Sequence, residues 1–428
     1  MDKIRVVGGV PLKGTIEISG SKNAALPLMA ASLLTAGTLK LYNLPHLVDI
    51  SRMANLLVQH GVDFQLDGCS KNGSSKGEVI SFTANNINNL EAPYDIVRKM
   101  RASVLVLGPL LARFGEAKVS LPGGCAIGTR PIDLHLKAFE QMGAEIELDH
   151  GYIKASIKGK LKGADILFDK VSVGATENVL MAATLADGIT ILNNAAKEPE
   201  VTDLANCLVK MGAKIEGIGT DKLVIQGIKE LHGAEYTVIS DRIEAGTYMI
   251  AAAITGGEVT LTGVNTNIMT ATIEKLAEAG IEVKEVAEGE VLVRRKGKNI
   301  HSVNAVTQPY PGFATDMQAQ IMALMTVADN AAIISETIFE NRFMHVSELM
   351  RMGADISIDG HTAVIKGIDH LTGAEVMATD LRASVSLVIA ALAAKGETII
   401  NRVYHIDRGY ERVEEKLAGV GAIIERMR

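Results

Sequence analysis

The segment KLAEAGIEVKEV, residues 275–286, changes from one periodicity to another at Gly280. Before Gly280 apolar residues recur at helical spacing, whereas after it apolar and charged residues alternate as they do in a half-buried strand. A glycine at such a junction favours the left-handed conformation that ends a helix. The segment therefore predicts a helix, a glycine cap and a strand in direct succession.

The same phrase recurs six times along the chain. It reads HGVDFQL from His60, MGAEIEL from Met142, MGAKIEG from Met211, AGIEVKE from Ala279, MGADISI from Met352 and VGAIIER from Val420. The six glycines are spaced almost evenly, and only the first interval is distinctly longer. A repeat this long is less typical of solenoids and favours closed globular domains.

Each repeat also contains a helical segment that is apolar or small on nearly every face, followed by a strand-like stretch such as GTLKLYNL, EVTLTGV or TIINRVYHI. These segments are AALPLMAASLL from Ala24, RASVLVLGPLLARF from Arg101, NVLMAATLA from Asn178, AGTYMIAAAI from Ala245, DMQAQIMALMTVA from Asp316 and LRASVSLVIAALA from Leu381. A helix without a polar face is buried inside its domain. The pattern predicts an α/β fold of two domains, each with three repeated units whose buried helices are enclosed by sheets.

The 428 residues exceed what one hydrophobic core normally serves, so two domains are expected. A turn at 232–233 separates the third unit from the fourth. The opening strands, within residues 1–19, have no buried helix before them and are expected to complete the last unit. We therefore predict a first domain at 22–240 and a discontinuous second domain at 1–21 and 241–428. The insert DGCSKNGSSKGE, from Asp67, lengthens the first interval and is expected to form a surface hairpin tip.

Composition excludes several functional classes. The formal net charge of −7 argues against general nucleic-acid binding. No apolar run approaches the roughly 18 residues of a membrane span, and the N-terminus lacks the features of a signal peptide. Three scattered cysteines suit neither a disulfide framework nor a zinc site. We expect a cytoplasmic protein without a metal, a cofactor, a membrane or a nucleic-acid partner.

One of these cysteines lies in a glycine-rich loop. Residues 121–136 read LPGGCAIGTRPIDLHL, which places Cys125 among glycines and Arg130 five residues further on. A mobile loop and a nearby cation are typical of a reactive thiol. A free cysteine that packs as a small hydrophobe is the alternative, and the loop by itself does not decide between them.

Polar and charged residues collect where the six buried helices begin. The segments are SGSKNAA from Ser19, RKMRAS from Arg98, DKVSVGAT from Asp169, SDRIEAGT from Ser240, YPGFATDMQAQ from Tyr310 and TDLRAS from Thr379. Backbone N–H groups at a helix start, with Lys, Arg and Ser beside them, can hold anions. Any one of these residues could instead be an N-cap or a solvated charge. Six coincident cases favour a site for a polyanion, such as a nucleotide diphosphate with a phosphorylated acid.

Six motifs spread from the first residues to the last carry a resemblance to a known family. They are SGSKNAALPLMAASLL, LPGGCAIGTRPIDLHL, VSVGATEN, YPGFATDMQAQ, FENRFMHV and YHIDRGYERVEEKL. Together they resemble the UDP-N-acetylglucosamine enolpyruvyl transferases of peptidoglycan synthesis. The resemblance implies two inverse α/β barrels with the active site between them, which agrees with the sixfold pattern. It also implies transfer of enolpyruvate from phosphoenolpyruvate to the 3′-hydroxyl of UDP-N-acetylglucosamine, with loss of phosphate.

The resemblance assigns roles to matched positions. Cys125 should be the general acid, and Asp316 should take the proton from the sugar hydroxyl or help to eliminate phosphate. Phosphoenolpyruvate should be held by Lys22, Asn23, Cys125, Arg130 and Arg408, of which Lys22 and Arg408 are also counted as catalytic. UDP-N-acetylglucosamine should be held by Asn23, Arg101, Arg130, Pro131, Ile132, Asp133, Leu134, Lys170, Ser172, Val173, Gly174, Asp316 and Ile338.

Two other readings stay open at this stage. A 3-phosphoshikimate 1-carboxyvinyltransferase would share the fold and the donor, but is not expected to carry Cys125 in this loop or the segment RPIDL. A catalytically silent paralogue that binds UDP-sugars is the second alternative, although Lys22, Cys125, Asp316 and Arg408 are all present. The role of Asp316 as a helix cap alone is also possible.

Overall fold

The computed structural model describes residues 2–69, 77–121 and 132–428 of the chain. These residues form two compact units. The first unit comprises the described residues of 20–239, and the second unit comprises 2–19 and 240–428.

Short strands account for much of the chain. Those up to residue 237 are β1 (Lys3–Val7), β2 (Lys13–Glu17), β3 (Thr38–Leu44), β4 (Asp63–Cys69), β5 (Glu78–Thr83), β6 (Glu91–Ala92), β7 (Glu116–Ser120), β8 (Glu145–Asp149), β9 (Tyr152–Ser156), β10 (Asp165–Leu167), β11 (Ile189–Asn193), β12 (Lys214–Glu216), β13 (Lys222–Gln226) and β14 (Ala234–Thr237). The later strands are β15 (Glu258–Thr262), β16 (Ile281–Ala287), β17 (Glu290–Arg295), β18 (Ala305–Val306), β19 (Ala331–Ser335), β20 (Asp355–Asp359), β21 (Thr362–Lys366), β22 (Glu375–Met377), β23 (Glu397–Asn401) and β24 (Ile423–Met427).

The α-helices alternate with these strands. They are α1 (Lys22–Ala31), α2 (Val48–His60), α3 (Tyr94–Val97), α4 (Leu107–Phe114), α5 (Asp133–Gln141), α6 (Val173–Ala183), α7 (Pro199–Lys210), α8 (Arg242–Thr255), α9 (Thr270–Glu278), α10 (Gln318–Met325), α11 (Val346–Arg351), α12 (Ala383–Ala393) and α13 (Val413–Ala418). Short 3₁₀ helices cover Ser32–Leu34, Arg101–Val106, Thr266–Ile268, Thr315–Met317 and Val403–Arg408.

The described strands form six four-stranded sheets built on one plan. Their strand orders are β14-β3-β5-β4, β6-β7-β9-β8 and β10-β11-β13-β12 in the first unit, and β2-β15-β17-β16, β18-β19-β21-β20 and β22-β23-β1-β24 in the second. In every sheet one edge strand runs parallel to its neighbour and the other pairings are antiparallel. Each sheet is therefore one copy of the repeated unit.

Strands from distant parts of the chain complete several sheets. Strand β1 pairs with both β23 and β24, so it completes the last unit as predicted, whereas the same prediction is wrong for β2. Strand β2 lies parallel to β15 in a different sheet, with Lys13 opposite Glu258. In the first unit β14 closes the first sheet by pairing with β3. Both units are thus closed by a strand that comes from the other end of their sequence.

The predicted apolar helices are buried at the centre of each unit. Helices α1, α4 and α6 belong to the core of the first unit, and α8, α10 and α12 to that of the second. Their Ala-rich surfaces allow close approach, and nearly all of their side chains are buried. The α/β architecture expected from the repeats is confirmed.

The second buried helix is interrupted, which the sequence did not predict. Residues 101–106 are a 3₁₀ helix, and α4 begins only at Leu107. The side-chain amide of Asn178 enters at this point: its Nδ2 donates to the Val104 carbonyl at 2.9 Å, and the Gly108 N–H donates to its Oδ1 at 2.8 Å. The amide thereby replaces the helical hydrogen bond that would join residues 104 and 108.

The glycine caps follow the repeat. All six glycines of the recurring phrase have φ between 83° and 104°, a region that side chains other than glycine disfavour. The strand predicted over TIINRVYHI is shorter than expected, because β23 ends at Asn401 and a 3₁₀ helix follows. Residues 67–69 and 78 belong to the antiparallel hairpin β4–β5, while the tip of the insert lies outside the described residues. Among the helices of the described ranges, none has the length and apolar character needed to cross a bilayer.

Candidate active site

Helix α1 begins with Lys22, whose ammonium is paired with a buried carboxylate. Ser21 caps the helix, its hydroxyl accepting the Ala24 N–H at 3.4 Å. The Lys22 Nζ lies 3.6 Å from Asp49 Oδ2, and Asp49 Oδ1 lies 3.2 Å from Arg52 Nη1. Asp49 is buried and lies in the first turn of α2. The buried carboxylate therefore holds the ammonium of Lys22 at a helix N-terminus, where an anion would be stabilised.

Several residues assigned to UDP-N-acetylglucosamine cluster around one histidine, His135 of α5. A Cβ added to Gly174, in α6, would lie 3.5 Å from the His135 Cε1. Asn178 Nδ2 lies 3.0 Å from His135 Nδ1. Since Asn178 Oδ1 accepts from Gly108, its amide nitrogen faces the ring and His135 Nδ1 is the acceptor. This contact brings the start of α5 against the start of α6.

The electrostatics of His135 place two further predicted residues nearby. Burial and, to a smaller extent, the charge of Arg101 lower its pKa to about 4, and the charge of Asp133 opposes this shift. The ring is therefore neutral at pH 7 and carries its proton on Nε2. Arg101, Asp133 and Gly174 are thus grouped around a histidine to which the sequence analysis assigned no role.

Other predicted site residues described in the first unit lie at or near the N-termini of α5 and α6. Ser172 caps α6 by accepting the Ala175 N–H at 3.3 Å, and Val173 is the first residue of the helix. Ile132 precedes α5 and is buried, as is Leu134. Lys170 is exposed just before α6. Ser172 is therefore an N-cap, the role left open as an alternative, and this does not exclude a ligand at the same turn.

Buried carboxylates lie behind this region, on α6 and α7. Burial, with the charges of Glu200 and Glu198, raises the pKa of Glu177 well above its ordinary value. Burial also raises the pKa of Asp203 to about 7, although Asp203 accepts hydrogen bonds from the Tyr236 hydroxyl at 2.7 Å and the Ile239 N–H at 3.4 Å. Protonation of these groups is therefore coupled to the packing of the first unit.

In the second unit the predicted base, Asp316, lies between two arginines. Its Oδ1 accepts from Arg342 Nη2 at 2.6 Å, and its Oδ2 lies 3.5 Å from Arg382 Nε. Both guanidinium groups are almost fully buried, whereas about a quarter of the Asp316 side chain is exposed. The arginines hold the carboxylate in one orientation and keep it accessible.

Arg382 is itself held in place. Its Nη2 lies 3.9 Å from Asp241 Oδ2, and its guanidinium lies over the Tyr410 ring at 5.4 Å. Burial alone would lower the pKa of Arg382, but Tyr410 and the carboxylates of Asp316 and Asp241 outweigh it and raise that pKa. Asp241 also caps α8 through the N–H groups of 243 and 244. The sequence left open that Arg382 is a solvated charge. This interpretation is wrong, because the residue is only 3% exposed.

Arg408 ends the 3₁₀ helix Val403–Arg408 and is partly exposed. The residues on both sides of it are anchored. The Asp407 carboxylate receives two hydrogen bonds from Arg426 of β24, at 2.5 and 3.0 Å. The Tyr410 hydroxyl lies 3.1 Å from Gln320 Nε2, which also donates to the Asp316 carbonyl at 2.8 Å. The Arg408 segment and the backbone of Asp316 are thus joined through Gln320.

Three predicted site residues, Cys125, Arg130 and Pro131, lie outside the described residues. Within each unit, the structure brings Arg101, Asp133 and Gly174 together around His135, and joins Asp316 to the Arg408 segment. It adds supporting side chains to which the sequence analysis gave no role: Asp49, His135, Asp241 and Arg342. Arg342 and His135 fall inside the quoted motifs FENRFMHV and LPGGCAIGTRPIDLHL, which is the signal that could have found them.

Comparisons with known proteins identify the family of this chain. A sequence model of the family described as EPSP synthase (3-phosphoshikimate 1-carboxyvinyltransferase) matches residues 6–417. The chain is 65% identical over its full length to a UDP-N-acetylglucosamine 1-carboxyvinyltransferase of Paramagnetospirillum magneticum, of which 99% is covered. It is 61% identical, again over its full length, to the enzyme of the same name from Rhodospirillum centenum, with 99% of that protein covered.

Solved structures share the fold at low sequence identity. The enolpyruvyl transferase NikO from Streptomyces tendae superposes with a TM-score of 0.88 at 24% identity, covering 100% of this chain and 99% of that one. EPSP synthase from Acinetobacter baumannii gives a TM-score of 0.75 at 20% identity, with both chains fully covered. The repeated sheets, the full-length family match and the relatives at about 60% identity all point the same way. This chain belongs to the enolpyruvyl transferase family and, within it, to the UDP-N-acetylglucosamine 1-carboxyvinyltransferases.

Proposed function

We propose that this protein transfers the enolpyruvyl group of phosphoenolpyruvate to the 3′-hydroxyl of UDP-N-acetylglucosamine and releases phosphate. The observation that carries the proposal is Asp316, a partly exposed carboxylate oriented by Arg342 and Arg382 at the start of a buried helix. A fixed carboxylate that accepts a proton from a hydroxyl is what the addition step requires. The names of the full-length relatives support the choice of acceptor.

The reaction has two stages. In the first, an acid protonates the methylene carbon of phosphoenolpyruvate, and positive charge develops at the neighbouring carbon. The sugar hydroxyl attacks that carbon and gives its proton to a base, forming a tetrahedral adduct. In the second, the bond to phosphate breaks, the methyl group loses a proton and the enol ether is restored on the sugar. We assign Asp316 as the base of the first stage, and Cys125, by resemblance, as the acid.

Binding of the two anionic substrates is assigned to cations at helix starts. In the first unit, Lys22 is held by Asp49, and we assign it to phosphoenolpyruvate together with Asn23 and Arg130. In the second unit we assign Arg408 to the same substrate. The group around His135, with Arg101, the segment 131–134 and the segment 170–174, is assigned to UDP-N-acetylglucosamine. Ile338 is assigned to it in the second unit.

The biological setting follows from the proposed reaction. Its product carries the enolpyruvyl group from which peptidoglycan precursors are built, and both substrates are phosphorylated metabolites, so we place the reaction in the cytoplasm. We also propose that the two compact units are the two domains expected from sequence, with the cysteine loop on the first. We propose that the reaction proceeds without a metal or a cofactor.

Phosphate release from phosphoenolpyruvate tests the proposal. Purified protein is assayed with UDP-N-acetylglucosamine and, in parallel, with shikimate 3-phosphate, because the family model bears the name of the latter enzyme. Release only with UDP-N-acetylglucosamine is expected. Release only with shikimate 3-phosphate would assign the chain to the sister activity. If neither acceptor gives phosphate release but calorimetry detects binding of UDP-N-acetylglucosamine, a regulatory paralogue would be favoured.

A further inference from the structure

Glu336 carries a buried carboxylate outside all the roles assigned so far. It follows β19 directly, and the residue is only 1% exposed. Its own N–H donates to the His361 carbonyl at 2.8 Å, so its backbone is fixed to the neighbouring strand connection. A carboxylate at this depth needs several donors to remain stable when charged.

Four hydrogen bonds meet this carboxylate. Oε1 accepts from the Thr307 hydroxyl at 2.9 Å, the Ile338 N–H at 2.9 Å and the Phe339 N–H at 3.1 Å. Oε2 accepts from the Thr315 hydroxyl at 2.8 Å. The two oxygens therefore serve different parts of the second unit: Oε1 organises the turn at 337–339, and Oε2 reaches the 3₁₀ helix that contains Asp316.

The Oε2 side leads to the proposed base. Thr315 Oγ1 also accepts from Arg342 Nη1 at 2.7 Å, while Arg342 Nη2 donates to Asp316 Oδ1 at 2.6 Å. Because an ionised carboxylate only accepts, the Thr315 hydroxyl must point its single hydrogen at Glu336. Its lone pairs are then free to receive Arg342. The orientation of the guanidinium that holds Asp316 therefore depends on the hydrogen bond between Thr315 and Glu336.

The Oε1 side leads to Ile338. Thr307 Oγ1 accepts the Thr337 N–H at 2.9 Å and donates to Glu336, and the Thr337 hydroxyl donates to the Thr307 carbonyl. With the N–H groups of 338 and 339 on the same oxygen, the turn has little freedom. We propose that Glu336 is a positioning residue that sets, with one carboxylate, both the Ile338 backbone for the nucleotide sugar and the Thr315–Arg342–Asp316 chain for proton transfer. This inference rests on the proposed function.

Glu336→Gln is the decisive change because it keeps the volume and alters only the hydrogen-bonding capacity. If the amide nitrogen faces the turn, it opposes two backbone N–H groups. If it faces Thr315, the hydroxyl must accept from both the amide and Arg342, and its hydrogen loses its partner. In either orientation the hydrogen bonds on one side of the original carboxylate are lost. We expect a loss of tenfold or more in kcat/KM for UDP-N-acetylglucosamine, with native secondary structure.

Two threonine variants separate the sides. Thr315→Val should lower kcat several-fold and displace the acidic limb of the pH–rate profile, since it disconnects Arg342 from Glu336. Thr307→Val should raise KM for UDP-N-acetylglucosamine several-fold and leave that limb in place. Glu348→Gln is the matched control: its carboxylate accepts the Met377 N–H at 2.9 Å in the same unit but touches no proposed site residue, so activity should stay within twofold.

The outcomes are distinguishable. If the wild type itself shows no turnover with UDP-N-acetylglucosamine, the proposed function has failed. If the wild type turns over and Glu336→Gln matches Glu348→Gln, this inference alone is overturned. It is also overturned if both threonine variants change kcat and KM in the same proportion with one common pH profile, because that is the behaviour of a purely structural residue. Should Glu336→Gln fail to fold, the threonine variants decide.

Discussion

Asp49 in the first unit and Asp316 in the second are two carboxylates in the same kind of setting. Each lies at the start of a helix, and each is placed between two cations. The Asp49 oxygens lie 3.6 Å from Lys22 Nζ and 3.2 Å from Arg52 Nη1. Those of Asp316 lie 2.6 Å from Arg342 Nη2 and 3.5 Å from Arg382 Nε.

What differs is which member of the cluster reaches the surface. The side chain of Asp49 is 3% exposed and that of Asp316 is 25% exposed. In the first unit the carboxylate is the most deeply buried group of its cluster, since the Lys22 side chain is 10% exposed and that of Arg52 is 31% exposed. In the second the arginines are the support and the carboxylate is presented. Under the proposed function, the same ion-pair chemistry orients an anion-binding group in one unit and a proton acceptor in the other.

Removing the presented carboxylate should have the largest effect. In Asp316→Asn the side chain keeps its shape but cannot take the proton, and we expect kcat to fall by roughly 10²–10⁴, the usual contribution of a general base. Steady-state phosphate release measures this, with the exposed Asp359→Asn of the same unit as the control. Activity close to wild type would end the assignment of Asp316 as the base.

Removing the supporting carboxylate should act on stability and on one substrate. Asp49→Asn removes the carboxylate that pairs with Lys22 and Arg52, and we expect the free energy of unfolding to drop by about 2 kcal/mol, less than for a fully buried pair. KM for phosphoenolpyruvate should rise roughly tenfold, while kcat changes less. Urea unfolding and initial rates check both. Asp95→Asn, which breaks an exposed pair with Arg98, should do neither.

Replacing one arginine of each cluster by lysine compares the arginine beside Asp316 with the arginine beside Asp49. The Arg342 side chain is 6% exposed and its fork bridges Thr315 and Asp316, so Arg342→Lys should lower kcat by about tenfold because one ammonium cannot replace both contacts. Arg52 is 31% exposed, and Arg52→Lys should cost less than a factor of three. Equal effects would mean that burial does not set the importance of these arginines.

The smallest effect concerns pH. Burial raises the pKa of Asp203 to about 7. Between pH 4 and that value the native state holds a proton that the unfolded chain has released, so wild-type stability falls as pH rises. Asp203→Asn lacks this dependence. Relative to wild type, its free energy of unfolding should therefore rise with pH across that window, by at most about 1.4 kcal/mol for each pH unit.

Asp329, in the second unit, should show the opposite dependence of stability on pH. The hydrogen bond from His301 lowers the pKa of Asp329 below its ordinary value. Its stabilisation is complete above the unfolded pKa of about 4 and is lost as pH falls through the folded pKa, so Asp329→Asn should become less stable relative to wild type as pH rises towards about 4. Urea midpoints across a pH series extended below about 4 compare the two variants. Parallel trends would contradict the assigned origin of the shift in Asp203.

Local sequence accounts for the elements and for part of the site. The recurring phrase predicted six glycine caps, and all six have positive φ. The apolar helices were predicted as buried and are. The break before α4 was not predicted, because it depends on Asn178, seventy residues further along the chain. The length of β23 was overestimated, because Arg402 takes a left-handed conformation at φ 58° directly after the strand ends at Asn401.

Sequence by itself determined the repeat, the two kinds of helix and the identity of the groups that can do chemistry, since periodicity and side-chain type are local properties. Only the tertiary structure decided which charge is presented and which is buried. Asp49 and Asp316 have the same side chain, and their difference goes with the depth of Arg342 and Arg382, 6% and 3% exposed, compared with that of Arg52, 31% exposed. That depth is set by packing between distant segments, where the cost of burying a charge is repaid only by a partner brought in by the fold.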